Sequence, residues 1–260
     1  MSSSVDQAVT IWTVHKPHLG SATSGLRILS AALLLASGAF AQQQFEIRVV
    51  VLSDQYIEPV HALLQEWYPK INAILYGPSF PLPYPEVKVS FEPTIFSGTG
   101  AQKVVVPAFA LDNIIHVNED YMTRIPDDYH AMLIHELTHI NQHHKDAPNA
   151  KWLIEGIADY IRHKYYQKDI VPRLILDAGG NLKGDEANRS SHPFQVEGYR
   201  DGYTVTSAFL YWVELAKDKD IVATVNRALH DGNYSDDIFQ RRCGAPLGSL
   251  WHEFLVQSVR

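Results

Sequence analysis

The chain has 260 residues, 46% of them hydrophobic, enough for one sizeable core or two small ones and too apolar for general disorder. Its net charge of −7 argues against a nucleic acid or an anionic membrane surface as partner. The single cysteine, Cys243, excludes an internal disulfide, so stability must come from packing or from a bound group.

In chain order, Arg27 precedes an apolar run, ILSAALLLASGAF, that ends in Ala39-Phe40-Ala41 before Gln42. This reads as a signal peptide with an A-x-A cleavage site, with an ordinary core helix as the alternative. Residues 1–41 are therefore expected to be a leader and residues 42–260 a single secreted domain, although residues 1–26 make a long preface with no visible role. The run is too short for a membrane span of about 20 residues. FEIRVVVL (45–52) then reads as a strand and YIEPVHALLQEWYPKINAILYG (56–77) as a helical stretch that Pro59 and Pro69 should bend or restart. PSFPLPYPE is a loop, VKVSFEP an alternating half-buried strand, SGTGAQ a turn, KVVVPAF a short extended piece and NIIHVN another strand. His116 reads as a surface histidine on an edge strand rather than a substrate contact.

AMLIHELTHINQ (131–142) follows, and its apolar residues on all sides predict a buried helix. A buried helix does not carry two histidines and a glutamate without partners. His135 and His139 are one turn apart, roughly 6 Å along the axis, so both can reach one metal ion, with Glu136 beside them. That is the HExxH arrangement, in which two neutral histidines hold Zn²⁺ and the glutamate takes a proton from a metal-bound water. His143 lies on the same face but roughly 12 Å from His135, too far to share an ion with bonds of about 2 Å. The metzincin pattern also fails, because Gln142 stands where its glycine should be and Lys145 where its third histidine should be.

HHKDAPNA, with Pro148 and Asn149, predicts a helix end, a turn and a new helix start, so KWLIEGIADYIRH (151–163) can fold back on the first helix. Glu155 is then the remaining third ligand. Asp159, one turn on, is placed to accept from the other ring nitrogen of His135. Gly156 costs about 1 kcal/mol against alanine inside a helix, and a close approach of this helix to the metal is the expected reason. The segment from Val171 to Gly198, with DAGGNLKGDEANRSSHP, has no period and reads as a long polar loop that could cover a cleft. YTVTSAFLYWVELA, IVATVNRALH, SDDIFQRR and SLWHEFLVQSV close the chain as amphipathic helices. Cys243 sits in the turn before the last of these and is not expected to be a nucleophile.

HELTH followed by EGIAD resembles the gluzincin class of zinc peptidases, whose third ligand is the glutamate of an E-x-x-x-D pair. The run from EWYPKI through IHELTHINQ and WLIEGIADYIR to GYTVTSAFLYWVE resembles, over roughly residues 46–260, the basic secretory protein family of zinc metallopeptidases, although this chain is acidic. The resemblance implies an α+β, zincin-like fold: a small N-terminal mixed sheet with an edge strand over an active-site helix pair, then a helical C-terminal half. It also implies that NIIHVN is the cleft edge on which a substrate backbone pairs. A second electrophile should stabilise the oxyanion opposite the metal. Tyr199 is similar to the tyrosine of the Y-x-K-G motif of zinc aminopeptidases, with Asp201 in place of the lysine. Tyr203 is the alternative, more typical of the basic secretory family, and either tyrosine could equally pack on the core.

The expectation is a secreted zinc metallopeptidase with His135, His139 and Glu155 as ligands, Glu136 as general base, one Zn²⁺ per chain and a peptide or protein as substrate. Endopeptidase action is favoured, since no G-x-M-E-N segment is present to hold a free amino terminus. The alternative is a catalytically silent, zinc-stabilised binding protein of the same fold, against which the intact Glu136 counts.

Overall fold

The computed structural model describes residues 10–12, 43–51, 56–97, 104–124, 126, 128–145, 147–168, 175–176, 182–183 and 198–258. The expected signal-peptide run and most of the long polar loop lie outside these residues. The strands are β1 (Thr10–Trp12), β2 (Glu46–Val51), β3 (Glu86–Glu92), β4 (Phe96–Ser97), β5 (Val104–Val105), β6 (Ala108–Leu111), β7 (Ile114–Asn118), β8 (Ile175–Leu176) and β9 (Leu182–Lys183). The helices are α1 (Ile57–Tyr76), α2 (Glu119–Arg124), α3 (Tyr129–Gln142), α4 (Lys151–Ile161), α5 (Tyr203–Ala216), α6 (Ile221–Asp231), α7 (Asp237–Cys243) and α8 (Leu247–Ser258). This is an α+β fold with a small mixed sheet. No described helix is long and apolar enough to cross a membrane.

The sheet runs in the order β1-β2-β3-β7-β6. β2, β3 and β7 are mutually parallel, while β6 runs antiparallel to β7 at the end of the sheet. Parallel neighbours need a crossover, and α1 supplies it between β2 and β3. Alternation decides which face is covered. Ile47, Val49, Val87, Val89, Phe91, Ile115 and Val117 all point into the core, each burial contributing about 1.5–3 kcal/mol. Arg48, Glu86, Glu92 and His116 take the other face, where Arg48 pairs with Glu86 at 3.0 Å and Glu92 with His116 at 2.8 Å.

Two expectations are corrected here. NIIHVN is not an edge strand: β7 lies between β3 and β6, and the edge is formed by AFAL of β6. His116 is accordingly half-buried on an interior strand, stacked on Phe109 at 4.6 Å and bonded to Glu92. The stretch around Pro69 does not bend into two helices. α1 is continuous because Leu64, Tyr68, Ile71 and Leu75 stay buried on one side while the proline takes an exposed position. Packing thus outweighs the missing N–H.

α3 lies at the centre, against α1, β6 and α4, and its buried residues surround the whole helix. α4 packs most closely on α5. A Cβ at Gly156 would fall 2.1 Å from Thr206 Cγ2 and 2.5 Å from Thr206 Cβ, so the glycine permits close approach to α5 rather than, as expected, to a metal. α4 then runs on into a π turn over Arg162–Tyr166, a form often found beside functional sites. Cys243 is half-buried at the end of α7, and burial pushes its thiol up to about 11, which disfavours the nucleophilic thiolate at neutral pH.

Candidate metal centre

The centre is built by one turn of α3 and one turn of α4. His135 and His139 meet edge to face, ring centroids 4.8 Å apart, with their Nε2 atoms 3.1 Å from each other. After α3 ends at Gln142, capped by His143 whose φ of 37° stops the helix, Pro148–Ala150 form a single 3-10 turn and α4 returns alongside. This brings Glu155 Oε2 to 3.3 Å from His135 Nε2 and 3.4 Å from His139 Nε2. The other ring nitrogens are held from behind: His135 Nδ1 lies 2.8 Å from Asp159 Oδ1, and His139 Nδ1 lies 2.9 Å from Gln142 Oε1. Asp159 is buried, and its second oxygen accepts from Thr204 Oγ1 at 3.2 Å.

These bonds determine the chemistry of the centre. Asp159 and the amide oxygen of Gln142 can only accept, so each histidine places its hydrogen on Nδ1 when neutral. Both Nε2 lone pairs and a carboxylate oxygen then converge with no donor between them, an arrangement that repels itself unless a cation sits at the centre. The three separations also match the distance of about 3.3 Å expected between ligands on a four-coordinate ion with bonds near 2.0–2.1 Å. Among the described residues this is the group able to hold a metal ion. Without a cation the site takes up a proton. Burial opposes charge on His135, but the carboxylates of Asp159 and Glu155 prevail and raise it to about 10. The histidines overcome burial at Glu155, holding it well below the usual carboxylate range, and the bond to His135 does the same for Asp159, lowered to about 2.

The donor atoms open onto a cleft of about 840 Å³, bounded on one side by β6 and on the other by α4 and the start of α5. Glu136 lines it beside His135. Tyr203 leans over it, its ring stacked on His135 at 6.0 Å and 14°.

A family model, peptidase of plants and bacteria (BSP), matches residues 101–254, which hold every residue of this centre. The chain belongs to this family. Among curated proteins none matches it. A solved structure similar to it is that of a two-domain M1 zinc metallopeptidase mutant bound to L-tryptophan, at 13% identity and a TM-score of 0.45, covering 83% of this chain and 49% of that one. The chain thus spans about half the length of that protein.

In this BSP chain His135, Glu136, His139, Glu155 and Asp159 come together as the sequence spacing requires. His143 stays out of the ligand set and packs instead on Tyr84, ring centroids 5.0 Å apart. The two tyrosines separate. Tyr199 is buried among Trp152, Phe209 and Trp251, so it belongs to the core and not to the cleft. Tyr203 is half exposed at the cleft. Three residues near the centre were missed: Gln142, Thr204 and Arg162. Arg162 lines the cleft, pairs with Asp128 at 2.8 Å and lies 3.9 Å from Asp159. Only Gln142 left a usable signal, being an amide three residues after His139 on the same helical face.

Proposed function

We propose that this BSP member is a zinc-dependent peptidase of the gluzincin type, with His135, His139 and Glu155 as the metal's holders. The convergence of three lone-pair acceptors, with both Nδ1 hydrogens already committed, is the observation that carries this reading. A zinc ion there would supply Lewis acidity, lowering the pKa of a bound water to near neutrality and polarising a carbonyl. Glu136 projects into the cleft from the residue next to His135, where it can take a proton from a water and pass it to a leaving amine. Asp159 holds His135 in the correct tautomer and raises its basicity.

Tyr203 is the residue we assign to the oxyanion. Burial, then the charges of Glu155 and Glu136, push its hydroxyl up to about 12, so it keeps its proton at neutral pH and can donate to an oxygen that gains charge. Substrate recognition is assigned to β6. Its outer edge borders the cleft, and an extended peptide can add there as a further antiparallel strand, with affinity from backbone bonds and little demand on sequence. An endopeptidase acting outside the cell fits the missing G-x-M-E-N segment and the expected signal peptide.

The test is zinc analysis together with digestion of a mixed peptide library. The protein should carry about one Zn²⁺ per chain and cleave peptides internally. Glu136→Gln should keep the metal and lose about 10² to 10⁴ in turnover. A zinc-loaded wild type that cleaves nothing would leave the silent binding protein as the reading, and a protein that takes up no zinc would end both.

A further inference from the structure

We infer that Gln142 is a positioning residue of the metal centre: it fixes the tautomer of His139 and ties that ligand to the helix carrying Glu155. The inference rests on the metal reading above, but its geometry starts from a backbone carbonyl. The oxygen of Ile154, the residue before Glu155, can only accept hydrogen bonds. Gln142 Nε2 donates to it at 3.1 Å, so the –NH₂ end of the amide is committed to α4 and Oε1 is turned toward His139 Nδ1 at 2.9 Å. An amide oxygen cannot donate, so Nδ1 carries the hydrogen and the lone pair of His139 is left on Nε2. That nitrogen is the one facing His135 Nε2 and Glu155 Oε2. The flipped amide would set oxygen against the Ile154 oxygen, which is repulsive. A carbonyl of α4 therefore decides, through Gln142, which nitrogen of a histidine on α3 is free for a metal.

The residue is anchored for this task. Gln142 is 1% exposed and is the last residue of α3, where carbonyls lack partners within the helix. Its own carbonyl accepts from Tyr76 Oη at 2.6 Å and stands 3.4 Å from His230 Nδ1, so α1 and α6 hold its backbone. The two histidines are thus oriented by different chemistry: a charged acceptor for His135 and a neutral one for His139. An amide orients the ring without adding a further negative charge to a centre that already holds the carboxylate of Glu155 and, behind His135, that of Asp159.

The full chain with Gln142→Leu and Gln142→Glu tests this by two readouts. One is zinc affinity by competition with a chromogenic chelator. The other is the imidazole ¹⁵N spectrum of metal-free, histidine-labelled protein, which distinguishes Nδ1–H from Nε2–H. Gln142→Leu should lose roughly 10- to 100-fold in zinc affinity and show His139 as a mixture of tautomers. Gln142→Glu keeps an acceptor for Nδ1, and in this buried position its second oxygen can hold a proton and donate it to the Ile154 carbonyl as the amide does, so it should keep the Nδ1–H form and most of the affinity. A Gln142→Leu protein with a lower thermal midpoint but wild-type zinc affinity and an unmixed tautomer would reduce Gln142 to a tie between helices and overturn the inference. Should Gln142→Leu not fold, an Nε2–H form of His139 in Gln142→Glu overturns it equally. If the wild type takes up no zinc, the metal reading fails, while the tautomer in metal-free protein still decides the role of Gln142.

Discussion

Gly156→Ala is the substitution whose effect follows most directly from distances. The new methyl would sit 2.1 Å from Thr206 Cγ2 and 2.5 Å from Thr206 Cβ, where carbon atoms normally keep about 3.5–4.0 Å. Thr206 cannot rotate out of the way cheaply, since it is fully buried and its hydroxyl donates to the Tyr199 carbonyl at 2.6 Å. The helices must therefore part by on the order of 1 Å or more. Overpacking of this kind costs about 1–3 kcal/mol, and a contact this close belongs at the upper end, so after a gain of up to about 1 kcal/mol from the better helix former the prediction is net destabilisation of about 2 kcal/mol. A second effect is expected on zinc binding. Glu155 precedes Gly156 on the same helix, and metal–ligand distances tolerate only about 0.2 Å. Zinc affinity is therefore expected to fall on the order of 10-fold or more, a loss of the size seen when ligand support is removed. Thermal melts with and without zinc, alongside chelator competition, measure both quantities. A variant with wild-type melting temperature and wild-type zinc affinity would refute the close α4–α5 contact as the reason for this glycine.

Tyr203→Phe should lose about 10² to 10³ in kcat with peptide binding intact, whereas Tyr199→Phe should leave kcat unchanged; the opposite split in the same kinetic assay would reverse the assignment. Asp159→Asn should leave a folded protein with roughly 10- to 100-fold weaker zinc affinity, and an unchanged chelator titration would contradict the role given to its bond with His135. In the metal-free protein His135 is raised to about 10 from 6.5, so its stabilising contribution is full below pH 6.5 and lost as pH rises through about 10. Asp159 is lowered to about 2 from 3.8, so its contribution is full above pH 3.8 and lost as pH falls through about 2. Denaturation of chelated protein should therefore show greatest stability between those limits, and a flat profile from pH 6.5 to 10 would count against the protonated His135. Zinc binding at pH 7 should release that proton, measurable by calorimetry in buffers of different ionisation enthalpy.

The candidate metal centre was legible in sequence because its relations within each helix span one turn, His135 to His139 on α3 and Glu155 to Asp159 on α4, and the break at Pro148 and Asn149 lets the two helices fold together. Tyr199 and Tyr203 could not be told apart in this way. Gly202 with φ of 78° and Tyr203 with φ of 44° interrupt the helical path between them, so the two rings point to different sides, one to the core and one to the cleft. Strand identity was legible from alternation, but strand order was not. Nothing in IIHVN tells an interior strand from an edge strand with one buried face, and the parallel pairing of β7 with β3 settles it only in three dimensions. The π turn after α4 and the short α2 had no periodic signal long enough to read.

The donor side chains and the two groups that orient them all lie between His135 and Asp159, on a single helix hairpin. The edge assigned to a substrate backbone comes from elsewhere, from β6 upstream of the hairpin. The chemistry and its address are thus written in separate stretches of chain. Substitutions or insertions along β6 can therefore change which peptides fit without touching the three ligand side chains.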